Sequence, residues 1–129
     1  MTWRSKVEVV AADVLDPDSL DAALSGIESV YYLVHAMGHA GDFERTDRIG
    51  AENTRTAAEK ASVSRIVYLG GLGEDDPNRL SSHLASRHEV GHILASGAVP
   101  VTELRAAVII GSGSASFEML RHLEEVLPA

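Results

Sequence analysis

The sequence predicts an α/β protein: a doubly wound parallel sheet that helices cover on both faces, in a three-layer α/β/α arrangement. Residues 66–69 (Ile-Val-Tyr-Leu) form an apolar run that is too short for a helix and stops at Gly70 and Gly71. Uninterrupted runs of this kind are typical of central strands in parallel sheets. Strand-like and helical segments also alternate in a βαβαβαβα order, which favours parallel strands joined by right-handed crossovers.

The composition fits one globular domain and excludes several classes of function. The 129 residues are 45% hydrophobic and 23% charged, and there is no cysteine for disulfide or thiol chemistry. The net charge of −8 argues against nucleic acid as a partner, because a phosphate backbone requires a basic surface. No apolar run approaches the roughly 20 residues of a membrane span. We therefore expect a cytoplasmic protein with no membrane contact.

The first part of the chain predicts two strands separated by a helix. Residues 7–12 are apolar and rich in valine, which indicates the first strand. The helix begins with Asp16 as its N-cap and Pro17 at its first position, and it ends near Gly26. Residues 30–34 (Val-Tyr-Tyr-Leu-Val) then predict the second strand.

The next predicted helix, residues 43–61, contains a candidate site residue. Small and apolar side chains recur along it at helical spacing, which indicates a face packed on a sheet. Asp47 falls on that same face, where a carboxylate costs desolvation energy unless it is paired. The alternative is a partly exposed carboxylate in the first turn, where the helix dipole favours it.

The second part of the chain predicts the organising strand, a loop, a helix and a further strand. In open α/β sheets, ligands bind beyond the carboxyl ends of strands, so the turn at residues 70–73 is the first place to expect a site. Ser81 or Ser82 caps the helix that follows, and residues 101–106 form the next strand. A last helix is expected to present Phe117, Leu120, Leu123 and Leu127.

Four segments together resemble the short-chain dehydrogenase/reductase superfamily: residues 7–20, 31–35 (Tyr-Tyr-Leu-Val-His), 65–71 (Arg-Ile-Val-Tyr-Leu-Gly-Gly) and 104–111 (Leu-Arg-Ala-Ala-Val-Ile-Ile-Gly). The likeness is greatest to its atypical, epimerase-like and NmrA-like branch, and it extends over nearly the whole chain. It implies a Rossmann domain with NAD(P) as cofactor. The implied cofactor-binding residues are Asp13 and Val14 beside the adenine, Val34, His35 and Ala36 along the cofactor, Gly70 and Gly71 beside the nicotinamide, and Ala106, Ala107 and Val108 beyond it.

One family feature has no counterpart in this sequence. The family's glycine-rich turn presents backbone amides and a helix N-terminus to the pyrophosphate, and residues 1–6 cannot replace it. We therefore expect residues 1–129 to be a single partial domain, a truncated fragment that lacks the first β-α-β unit. Binding of NAD(P) by this fragment is expected to be weak.

The resemblance also implies an altered catalytic set. The family's serine position is occupied by Gly71, its asparagine position by Asp47, and its tyrosine and lysine positions by His83 and Arg87. The implied catalytic residues are therefore Asp47, His83 and Arg87. Arg87 has a permanent charge that could hold a ribose or phosphate of the cofactor, and His83 could act as an acid or base near neutral pH. The alternative is that both line a vestigial pocket.

Residues 88–92 match the His-Glu-x-x-His pattern of zinc metallopeptidases. The helical phase argues against a zinc site, because the face that carries His83 and Arg87 is expected to be buried. That phase places His88 and His92 on the flank or outer face of the helix. A downstream third ligand is also missing, so no metal site is predicted and zinc chemistry is only a remote alternative.

Two functions of different classes are open. One is an NAD(P)-dependent oxidoreductase or sugar-nucleotide epimerase that acts on a small molecule. The other is a non-catalytic, NmrA-like dinucleotide-sensing module, so whether the protein is an enzyme stays open. The strand at residues 30–34 contains neither charges nor prolines to protect its edge, which makes a homodimer possible.

Overall fold

The computed structural model describes residues 6–36, 43–73, 81–107, 111 and 115–126. Their elements are α1 (Pro17–Leu24), β1 (Ser29–Tyr32), α2 (Phe43–Lys60), β2 (Arg65–Gly71), α3 (Ser82–Ala95), β3 (Val101–Ala106) and α4 (Ala115–Val126). The strands form one parallel sheet in the order β1-β2-β3. The predicted parallel α/β fold is confirmed, and β2 is its central described strand.

One face of the sheet is covered by α2 and α3. Ile66 is 0% exposed and Tyr68 is 2% exposed on this face. Alanines of α2, fully or almost fully buried, let the helix approach the strands closely. The core consists of Tyr32, Ala51, Ala58, Val63, Ile66, Tyr68, Val90, Leu94 and Val99. None of the described helices combines the length and apolar character needed to cross a membrane.

The opposite face of the sheet is largely uncovered by the described residues. Tyr31 of β1 is 70% exposed and Leu104 of β3 is 53% exposed. Val67 lies between Tyr31 and Thr102 in the register and is half-buried. The described residues therefore supply the sheet and one helical layer of the predicted arrangement.

Local sequence signals determine where the helices begin. The Asp16 carboxylate accepts a hydrogen bond from the Asp18 amide at 3.1 Å, and Pro17 occupies the first turn of α1 as predicted. For α3 the N-cap is Ser81, whose hydroxyl accepts from the Leu84 amide at 3.4 Å. Gly26 follows α1 with a φ of +74°, a left-handed conformation that favours glycine.

The prediction of a strand at residues 7–12 is wrong. These residues form neither strand nor helix, and Val9 is 73% exposed. A strand exists only where its backbone groups pair with a neighbour, and the described sheet contains β1, β2 and β3 alone. For the same reason β1 ends at Tyr32, its last residue paired with β2, rather than at Val34.

Candidate functional site

The carboxyl ends of the three described strands meet at one edge of the sheet, since all the strands are parallel. The Leu72 amide donates a hydrogen bond to the Ala106 carbonyl at 2.9 Å, which ties the ends of β2 and β3 together. The helices α2 and α3 begin at the same edge, because each follows a strand. The implied cofactor residues at this edge are Val34, His35, Ala36, Gly70, Gly71, Ala106 and Ala107. Val108 lies outside the described residues.

Asp13 and Val14, implied at the adenine, precede α1. The Asp13 carboxylate is exposed and accepts a hydrogen bond from the Leu15 amide at 2.9 Å. The Val14 carbonyl accepts from the Asn53 side-chain amide at 2.9 Å. Val14 also packs on Gly50, where an added Cβ would lie 3.0 Å from a Val14 methyl group. Helix α2 therefore fixes the position of Val14, and Gly50 permits the close approach.

Asp47 is 6% exposed and is paired by two neutral donors. Its Oδ1 accepts a hydrogen bond from the Ala36 amide at 2.6 Å, and its Oδ2 accepts from the Ser86 hydroxyl at 3.1 Å. The prediction that Asp47 falls on the buried face of its helix is confirmed, while its catalytic role stays a prediction. Sequence reasoning missed Ser86, because no local pattern identifies a partner 39 residues away.

Two buried phenols lie near Asp47. The rings of Tyr32 and Tyr68 have centroids 6.0 Å apart and planes tilted by 53°. Burial, and then the charge of Asp47, raises the pKa of the Tyr32 hydroxyl above its ordinary value. Burial raises the pKa of Tyr68 to about 12, although the charge of Arg87 opposes part of that rise. Both phenols are therefore neutral at physiological pH, and Tyr68 donates to the Arg87 carbonyl at 2.8 Å.

Replacing Tyr68 with phenylalanine is expected to lower the unfolding free energy by about 1 kcal/mol, because the hydrogen bond to Arg87 is lost. The folded-state pKa of Tyr68 lies above the ordinary 10.0. The neutral phenol therefore contributes fully to the unfolding free energy below pH 10, and this contribution is lost as the pH rises to about 12. Denaturant unfolding at pH 8 and pH 11 should therefore show a smaller alkaline loss in Tyr68→Phe. The control, Tyr31→Phe on an exposed ring, should leave the pH 8 value unchanged. An unaltered alkaline loss in Tyr68→Phe would contradict this explanation.

Arg87 is anchored at the carboxyl end of β2. Its guanidinium donates a hydrogen bond to the Leu69 carbonyl. Its aliphatic part lies beside Gly71, where an added Cβ would be 3.5 Å from the Arg87 Cδ and 2.7 Å from the Leu84 Cδ2. Leu84 therefore occupies the space that a side chain at Gly71 would need, such as the serine found at this position in the short-chain dehydrogenase/reductase superfamily. Gly70 is similarly crowded by the carboxylate of Glu103.

His83 was predicted to be buried and is exposed, whereas His88 was predicted to lie on the flank or outer face of the helix and is buried. His83 is exposed and stacks on the buried Phe43 ring, with centroids 4.5 Å apart and planes 16° apart. His88 is only 7% exposed, so the prediction that it lies on the flank or outer face is wrong. Polar and apolar side chains are spread evenly around α3, so the sequence pattern does not indicate which side of the helix is buried. His83 remains accessible to a ligand at the carboxyl edge.

The residues of the His-Glu-x-x-His pattern are arranged for packing between helices. The Glu89 carboxylate forms an ion pair with Arg48 of α2 at 2.9 Å. His88 is buried, whereas His92 is exposed, so the two imidazoles lie in different environments. In the part of the chain that the structure describes, no group of three or more His, Cys, Asp or Glu residues could hold a metal ion.

Comparison with known proteins identifies an NAD(P)H-binding family and a set of similar folds. The model of the NAD(P)H-binding family matches residues 1–113. The triphenylmethane reductase of Citrobacter sp., solved with NADP(H), is 22% identical with a TM-score of 0.71, and the match covers 93% of this chain and 39% of the reductase. A nucleoside-diphosphate-sugar epimerase from Staphylococcus aureus is 22% identical with a TM-score of 0.68, covering 80% of this chain and 35% of the epimerase.

A third similar structure is the Bordetella bronchiseptica enzyme WbmG, solved with NAD and UDP. It is 21% identical with a TM-score of 0.67, and the match covers 95% of this chain and 46% of that enzyme. The chain thus spans less than half the length of these three proteins. At this level of identity the likeness shows the fold, which is the Rossmann type predicted from the sequence.

Proposed function

The chain belongs to the NAD(P)H-binding family, and we propose that it forms part of the NAD(P) site of an oxidoreductase or a sugar-nucleotide epimerase. The observation that supports this proposal is the shared carboxyl edge of β1, β2 and β3. It brings together the segments at Ala36, Gly71 and Ala107, which the family resemblance implies at the cofactor although they are distant in the sequence. In open α/β sheets this edge is where ligands bind.

The chemistry of the edge suits a dinucleotide. Arg87 supplies a permanent cation beside Gly71, and a guanidinium has several N–H donors for a ribose hydroxyl or a phosphate. Ala36, Ala106 and Ala107 have small side chains that leave room for a flat ring at the strand ends. NAD(P), when bound, supplies the group that accepts or donates a hydride. Of the implied catalytic residues, His83 is the exposed one, and we propose that it exchanges a proton with a substrate.

The substrate class follows from the similar structures only as a proposal. One of them is a nucleoside-diphosphate-sugar epimerase, another is a triphenylmethane reductase, and WbmG was solved with UDP. We therefore propose a small-molecule substrate, with no nucleic acid partner because the net charge is −8. A cytoplasmic location and self-association through β1 belong to the same proposal.

The isolated chain is expected to bind NADPH more weakly than micromolar, because it lacks the glycine-rich turn that holds a pyrophosphate. At millimolar NADPH, the amide resonances of Ala36, Gly71 and Ala107 should shift and approach saturation. Amides at the opposite end of the sheet, such as Ser29 and Val101, are the internal control and should not shift.

Two outcomes would contradict this prediction. Calorimetry that gave micromolar affinity would show that other groups hold the phosphates. Resonances that stayed unchanged at the carboxyl edge would refute the proposed site. Turnover of NADPH with a panel of carbonyl compounds by the protein separates an enzyme from a dinucleotide-sensing module.

A further inference from the structure

Asp47 joins three separate parts of the chain through one side chain. It lies on α2, its Oδ1 accepts from the Ala36 amide in the segment after β1, and its Oδ2 accepts from Ser86 on α3. Ser86 is 4% exposed and Asp47 is 6% exposed, so solvent does not replace either carboxylate contact easily. Ala36 belongs to the carboxyl edge, and α3 is the helix that carries His83 and Arg87.

The two hydrogen bonds of Asp47 restrain Ala36 and Ser86. The Ala36 amide donates to a carboxylate oxygen at 2.6 Å, and hydrogen bonds to an ionised acceptor are stronger than those between neutral groups. A buried carboxylate accepts hydrogen bonds and donates none, so it requires both of its neighbours to be donors. Any movement of Ala36 or α3 away from Asp47 would leave a buried charge less well paired, which opposes that movement.

We propose that Asp47 is a positioning residue. It holds the segment at Ala36 against α3 (the clamp), and so sets the distance between them, which is the width of the carboxyl edge at this point. The proposal rests on the proposed function, because the width matters only if that edge receives a dinucleotide. Asp47 acts through Ala36 and Ser86, since each of its carboxylate oxygens is already engaged by one of them. Loss of the clamp should loosen Ala36 and α3 while the core beneath β2 is preserved.

Amide hydrogen exchange measured by NMR tests the clamp without any ligand. In Asp47→Leu, exchange at Ala36 should accelerate about tenfold or more, because its hydrogen bond to a charged acceptor is lost. Asp47→Asn is the matched rescue, since its oxygen can accept from Ala36 and its amide can donate to Ser86, and exchange should stay within about threefold of the original. The Ile66 amide, which donates to the Pro100 carbonyl at 3.0 Å, is the internal control.

Ser86→Ala keeps the test decisive if Asp47→Leu fails to fold. It removes only the contact with α3, so exchange should rise in the first turn of α3, at Ala85, and change little at Ala36. Equal acceleration at Ile66 and Ala36 in Asp47→Leu would overturn the proposal, because Asp47 would then only stabilise the whole fold.

NADPH titration of the same samples separates the clamp from the proposed function. A weaker perturbation of the Gly71 and Ala107 resonances in Asp47→Leu, restored in Asp47→Asn, supports positioning. Unchanged perturbation in all variants would overturn it. If the variants show the predicted pattern of amide exchange but NADPH shifts no resonance of the original chain, the result counts against the proposed function and leaves the role of Asp47 intact.

Discussion

Aspartate in place of Ile66 is expected to abolish the cooperative fold. Ile66 is 0% exposed on β2, the central described strand, and its side chain belongs to the core beneath α2 and α3. An unpaired carboxylate at such a site costs several kcal/mol, and the isoleucine packing is lost as well. The sum is comparable with the total stability of a small domain, about 5–15 kcal/mol. Circular dichroism on heating should show no cooperative transition in Ile66→Asp.

Val67→Asp is the matched control, because it changes the next residue of the same strand and adds the same charge. Val67 is half-buried on the open face of the sheet, beside the exposed Tyr31, so a carboxylate there can reach water. A loss of about 1–2 kcal/mol with a cooperative transition is expected. If both variants were equally unfolded, the face at Val67 would have to be covered in solution.

The difference between Ile66 and Val67 also shows where the sequence was insufficient. An uninterrupted apolar run predicts a strand that is buried on both faces, which would make the two residues equivalent. The structure covers only the face of Ile66 within the described residues. Hydrophobicity identified the strand correctly, but which of its faces a helix covers depends on contacts with segments distant in the sequence.

Two features that were predicted correctly are each encoded within a single helix. The start of α1 follows from Asp16 and Pro17, whose capping geometry needs no tertiary contact. The inward position of Asp47 follows from the strong separation of polar and small side chains around α2. In both cases the signal and its structural consequence lie within a single helix and the residue that precedes it.

The features that were missed depend on partners far away in the chain. Residues 7–12 have the composition of a strand, but they pair with no strand of the described sheet. The contact between Asp47 and Ser86 is a second case, since its partners lie on different helices. The environments of His83 and His88 are a third, because α3 has no clear apolar face from which a phase could be read.

The implied cofactor-binding residues could be predicted only in part. Their identities came from the resemblance to a dehydrogenase/reductase family, and membership of an NAD(P)H-binding family is established by the match over residues 1–113. The parallel register explains why segments as distant as Ala36, Gly71 and Ala107 meet at one edge. Their individual roles in binding a dinucleotide stay predictions.

One group of exposed apolar residues lies in β1 and the segment that follows it. Tyr31 is 70% exposed, Leu33 is 63% exposed and Val34 is 46% exposed, and Val9 in the preceding segment is 73% exposed. Within the described sheet β1 pairs with β2 on one side only, so its other side is an edge with unpaired backbone groups. Monomeric proteins rarely expose a contiguous apolar patch larger than a few hundred Å². Edges of this kind pair with other chains unless charges, prolines or bulges protect them.

We therefore expect the isolated chain to form dimers or larger species in sedimentation velocity at micromolar concentration. A two-fold contact between β1 edges would bury both apolar patches at once. Tyr31→Lys places a charge on the edge strand and should shift the distribution toward the 13.7 kDa monomer. Thr56→Lys adds the same charge at an exposed position of α2 and should leave the distribution unchanged. A stable monomer in the original chain would show that its own residues protect the β1 edge, and equal dissociation by both lysines would indicate that association depends on net charge rather than on β1.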